Sequence, residues 1–135
     1  RGYTSSIDEA FARYLARGRP AYVPHERPSP AEAVQVVRAA GGAAVLAHPY
    51  TASDLARLLP ELIAAGLAGL EAWYGEYSED QRRSLAELAE AHGLIATGGS
   101  DYHGEGFRKG RELGGVDVPL EAVERLRRAA GRTGR

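Results

Sequence analysis

The sequence predicts an α/β fold in which about three parallel strands alternate with helices, and three observations carry that prediction. Helix-period apolar stretches alternate with short continuous apolar runs, brief Gly- or Pro-containing turns join them, and the runs are unbroken, as strands buried on both faces of a parallel sheet require. The expected order is helix, loop, helix, strand, helix, strand, helix, strand, loop, helix. At 135 residues with 44% apolar content, the chain holds about one domain's worth of sequence and can bury a core.

Each element has a local reason. Ser6 with Glu9 three residues on forms a capping box, after which Ile7, Phe11, Tyr14 and Leu15 share one face until Gly18. Arg19 to Pro28 hold three prolines and read as an irregular connection. Ser29, Pro30 and Glu32 open a second helix, with Val34, Val37 and Ala40 as its buried stripe before Gly41 and Gly42. Ala43 to Ala47 form the first strand, ending at His48. The next helix uses Leu55, Leu58, Leu59, Leu62 and Ile63, and Pro60 within that stripe must kink it or mark a fresh first turn. Ala68 to Trp73 form the second strand. Ser78 and Gln81 box the following helix, whose face of Leu85, Leu88 and Ala89 runs to Gly93, and Leu94 to Thr97 form the third strand. Pro119 opens a last amphipathic helix with Leu120, Val123 and Leu126, and residues 131–135 read as a flexible tail.

Composition narrows the chemistry. A formal charge of −1 leaves neither an acidic tail nor a basic nucleic-acid surface in control, although a small anionic substrate needs only a local basic patch. The absence of cysteine excludes disulfides, zinc fingers and thiol nucleophiles, leaving His, Asp and Glu as metal ligands. No apolar run approaches the roughly 18 residues of a membrane helix and no signal peptide is visible, so a soluble, cytoplasmic protein is expected. The chain lacks methionine even at position 1, which implies processing, trimming or excision from something longer.

Three potential ligands, His48, Asp101 and His103, come directly after predicted strands, the edge at which parallel α/β folds build active sites. In an extended segment Asp101 and His103 point to one side and Tyr102 to the other. Gly98, Gly99, Gly104 and Gly106 give that loop freedom to turn. A lone histidine after a strand is more often a hydrogen-bonded structural residue, so the metal reading rests on convergence from two strand ends. His25, beside Glu26 and Arg27 in the proline-rich loop, contacts a phosphate or merely stacks on the surface. His92, next to Gly93, reads as a helix C-terminal residue meeting the dipole. Glu71, inside an otherwise apolar strand, either orients a ligand from behind or faces solvent. Arg108, Lys109 and Arg111 can bind phosphate or form a solvated basic run. Nucleophile elbows, phosphate loops, dinucleotide fingerprints and HExxH are absent, and Ser100 lies too close in sequence to Asp101 and His103 to form a hydrolytic triad with them.

Gly2 to Pro49, LAGLEAWYGEYSEDQ and TGGSDYHG together resemble the C-terminal half of PHP (polymerase and histidinol phosphatase) phosphoesterases. The resemblance is to the branch that hydrolyses nucleoside 3',5'-bisphosphates and short RNA 5' ends. It covers nearly the whole chain, and GSDYHG with an upstream AHP is its most specific piece. It implies part of a distorted TIM-like (β/α)7 barrel, with residues 1–135 as its C-terminal portion. It also implies a two- or three-metal cluster, commonly manganese and otherwise iron or zinc, that activates water. His48 falls on the third family motif, and Asp101 and His103 on the fourth. His25, Arg27 and Arg108 are the substrate-binding candidates. The earlier ligand motifs have no counterpart, so the fragment alone should be weakly active or inactive, and a missing N-terminal half or a second copy would be its partner. Three strands cannot close a barrel. The competing readings are a non-catalytic α/β binding module and a polymerase-associated PHP domain.

Overall fold

The computed structural model describes residues 2–24, 27–105 and 111–131. The candidates His25 and Arg108, with Lys109 and the tail from 132, lie outside the described residues.

Three parallel strands form one sheet in the order β1-β2-β3, with β1 Val45–Leu46, β2 Gly69–Tyr74 and β3 Ile95–Gly99. Five α-helices are described: α1 Ile7–Ala10, α2 Pro30–Ala39, α3 Leu55–Ala65, α4 Glu79–Ala91 and α5 Glu121–Ala129. The central strand supplies the core. Leu70 and Ala72 of β2 are fully buried, packed among Val34, Leu59, Leu62, Leu85 and Ala89 from α2, α3 and α4. β1 is shorter than the predicted Ala43–Ala47: its pairing with β2 covers only Val45 and Leu46, and the left-handed backbone of His48 ends the extended run beyond Ala47. Glu71 pairs with Thr97 and Trp73 with Gly98, so β2 carries one residue more than β3 between those pairs. A Cβ on Gly98 would collide with the Trp73 backbone, which is why this bulged pairing needs glycine there.

The caps behave largely as their residue types dictate. Ser29 and Ser78 form full capping boxes with Glu32 and Gln81. At α1 the box is split: the Ser6 hydroxyl accepts from the Glu9 N–H, while the Glu9 carboxylate accepts from the N–H and hydroxyl of Ser5, both at 2.7 Å. Asp54 caps α3, which runs through Pro60 without breaking, the proline lying on its exposed side. Gly66 ends α3 in the left-handed conformation, and the Arg38 guanidinium donates to the Ala65 carbonyl at 3.0 Å, tying α2 to the end of α3.

Three apolar stripes expected to be buried are not covered by the described residues. Phe11–Leu15 form a π-helical turn rather than a continuation of α1, and Ile7, Phe11 and Leu15 remain exposed. On α2 only Val34 is buried, with Val37 and Ala40 exposed. On α5 the buried residue is Ala122, whereas Leu120 and Val123 face outward. No helix among the described residues is long and apolar enough to cross a membrane.

Leu70→Ala is expected to lower unfolding free energy by about 2–5 kcal/mol, since Leu70 has no exposed surface and its site can collapse only partly. Urea denaturation measures it, and a loss under about 1 kcal/mol would show that β2 is not the centre of the core. Acid should loosen α1. The two Ser5 donors, then Arg13, hold the Glu9 carboxyl at about 2 against an ordinary 4.5. A depressed carboxyl stabilises the fold above its unfolded value, so this contribution is whole above pH 4.5 and fades as pH falls toward 2. An NMR titration in which the Glu9 carboxyl moved at 4.5 would contradict it.

Candidate metal centre

β2 places Glu71 against His48, which follows β1, and the end of β3 brings Asp101 to the other ring nitrogen of His48. His48 is fixed at several points. Its backbone N–H donates to Glu71 Oε2 at 2.9 Å, its Nδ1 lies 3.1 Å from the same oxygen, and its carbonyl accepts from the N–H and hydroxyl of Thr51, each at 2.8 Å. A carboxylate can only accept, so this contact favours the tautomer with the proton on Nδ1, the one in which a carboxylate braces a ligating imidazole from behind. Nε2 stands 4.0 Å from Asp101 Oδ2.

His103 reaches the cluster by a different route from the expected strand alternation. Asp101 has a left-handed φ of 55°, so the loop turns there and Asp101 and His103 do not share one face of an extended segment. His103 Nδ1 donates to the Asp101 carbonyl at 2.7 Å and lies 3.5 Å from Asp101 Oδ1. His48, at φ 46°, and Asp101 are the only non-glycine residues with positive φ among those described. The left-handed region costs such residues roughly 1–2 kcal/mol each, and strain of this kind concentrates at working sites.

An aromatic wall stands behind the cluster. The rings of His48 and Tyr74 meet edge-on at 4.7 Å, Tyr74 meets Tyr77 at 5.0 Å, and Tyr77 meets Tyr50 at 5.1 Å. Burial pushes the Tyr74 phenol above its usual range, so it stays neutral beside the cluster at ordinary pH. Arg111 pairs with Asp101 and Glu76 and lies over the Tyr74 ring.

Of the sequence candidates, Asp101 lies beside both His48 and His103, and Glu71 stands against His48. Arg27 lies elsewhere, in an open groove of about 610 Å³ along α2 lined by Pro28, Glu32, Gln35, Val36 and Ala39. His92 is the C-cap of α4. Sequence reasoning misses the tyrosine wall and the Arg111–Glu76 pair, whose only signal is the polar and aromatic spacing of EAWYGEY. Among the described residues no three His, Asp or Glu side chains are arranged to hold one ion. The donors nonetheless fit one side of a divalent-metal shell: a braced imidazole nitrogen and an aspartate oxygen, separated by a distance that one ion can span.

No family model matches the chain. It is 38% identical over 123 residues to the 3',5'-nucleoside bisphosphate phosphatase of Chromobacterium violaceum, covering 87% of this chain and 43% of that protein. It is 38% identical over 106 residues to the 5'-3' exoribonuclease Rnm of Escherichia coli, covering 76% of this chain and 36% of that protein. A solved structure from Bifidobacterium adolescentis, described as a metal-dependent phosphoesterase, superimposes with a TM-score of 0.70 at 34% identity, covering 90% of this chain and 44% of that one. The chain thus spans less than half the length of the relatives it matches.

Glu71→Ala leaves the His48 N–H without its acceptor in a partly buried setting. The expected loss of stability is about 1–3 kcal/mol by urea denaturation, and an unchanged midpoint would show that the carboxylate does not hold His48.

Proposed function

We propose that this chain supplies one side of the active site of a metal-dependent phosphoesterase, with His48, Asp101 and His103 as metal ligands. The observation that carries the reading is the braced His48 Nε2 facing Asp101 Oδ2 across 4.0 Å, in a chain 38% identical over 123 residues to a nucleoside bisphosphate phosphatase. The substrates are nucleoside 3',5'-bisphosphates or the 5' ends of short RNAs, a reading supported by relatives named as a 3',5'-nucleoside bisphosphate phosphatase and a 5'-3' exoribonuclease. Manganese is the proposed metal, with iron or zinc as the other choices.

A divalent cation bound there supplies Lewis acidity at the phosphoryl oxygens and makes water a stronger acid. The chain's residues prepare for it. Glu71 favours the His48 tautomer protonated on Nδ1, the Asp101 carbonyl favours that of His103, and Asp101 brings the negative charge that a cation requires. The described donors make up only part of a shell, so further ligands have to come from outside the described residues.

Two results are expected. Calorimetric titration of this chain with Mn2+ gives weak uptake, and tight stoichiometric binding would show that the ligand set is already complete. In the full length its gene encodes, His103→Ala lowers hydrolysis of a nucleoside 3',5'-bisphosphate by about 100-fold or more, as loss of several kcal/mol of charge stabilisation requires. A variant retaining the full rate would remove His103 from the site.

A further inference from the structure

By sequence Arg111 is a candidate phosphate contact alongside Arg108 and Lys109, but the structure gives it different partners. Its side chain is only 13% exposed. Nε donates to Glu76 Oε1 at 3.0 Å, and Nη1 donates to Asp101 Oδ2. The guanidinium carbon lies 5.7 Å above the Tyr74 ring, whose edge contact fixes His48 in turn. Two carboxylates already occupy Nε and Nη1, so those donors face protein rather than a substrate phosphate.

We propose that Arg111 is the positioning residue of Asp101, its fork spanning Glu76 and Asp101 so that the Asp101 carboxylate stays turned toward His48. A carboxylate oxygen has two lone-pair directions. Oδ2 can therefore accept from Arg111 on one side and face the His48 nitrogen on the other. Glu76 lies just beyond the end of β2 and Asp101 just beyond the end of β3, so the guanidinium also ties two strand-end loops together. Lysine could match the charge but not the planar two-ended geometry. Groups that orient metal ligands in this way typically account for 10–100-fold in metal affinity.

The inference rests on the metal reading above, and one experiment separates the two. Mn2+ is titrated into this chain and into Asp101→Asn, Arg111→Ala and Arg111→Lys, following paramagnetic broadening of the histidine ring resonances, with a thermal melt of each. The expected midpoint for Arg111→Ala is about 10–100-fold higher than for the parent chain, and that for Arg111→Lys lies between them. A folded Arg111→Ala that bound Mn2+ equally well or more tightly would overturn the inference, while a weakened Asp101→Asn kept the metal reading. If Arg111→Ala fails to fold, Arg111→Lys decides: a midpoint equal to the parent's overturns the inference, and a raised one supports it. If Asp101→Asn and the parent chain match, the metal reading fails and the role of Arg111 falls with it.

Discussion

One carboxylate oxygen holds the candidate site together. Glu71 Oε2 accepts the backbone N–H of His48 and lies 3.1 Å from its ring Nδ1, so a residue within β2 holds the residue that follows β1 by its backbone and sits against its side chain. A charged group in the middle strand of a parallel sheet is costly unless paired, and His48 supplies that pairing. Parallel pairing makes this arrangement available: β1 and β3 flank β2 and run the same way, so the loops leaving all three strands emerge at the same edge.

The strain in the backbone lies at the same edge. His48 and Asp101 hold left-handed conformations that glycine would adopt more easily, and around His48 the Thr51 turn and Glu71 make compensating bonds. The surrounding contacts override local preference there to aim particular side chains, a pattern typical of working sites. Gly98 contributes by allowing β3 to lie against the bulged segment of β2 where a side chain could not fit.

The packing is uneven. Around Leu70, Leu62 and Leu85 the layer of α3 and α4 on the sheet is well buried, whereas the apolar stripes of α1 and α5, and that of α2 apart from Val34, are open among the described residues. An apolar stripe records an expectation of burial without specifying what provides it. The chain spans less than half the length of its relatives, so the described elements are not the whole architecture in which those relatives fold.

Periodicity and capping chemistry were enough to specify the alternation of helices with three parallel strands, the caps at Ser29 and Ser78, and the position of His48 and Asp101 at strand ends. All of these depend on side chains acting on backbone a few residues away. Three-dimensional packing settled which apolar stripes were covered, since Val34 and Ala122 are buried while Ile7, Val37 and Leu120 stay exposed among the described residues. It also settled the left-handed turn at Asp101, the tyrosine wall behind His48 and the fork of Arg111. Contacts such as His48 with Glu71, or Arg111 with Glu76, join residues 23 and 35 positions apart. Their geometry depends on how the sheet twists and where each strand stops, and local sequence rules do not reach that far.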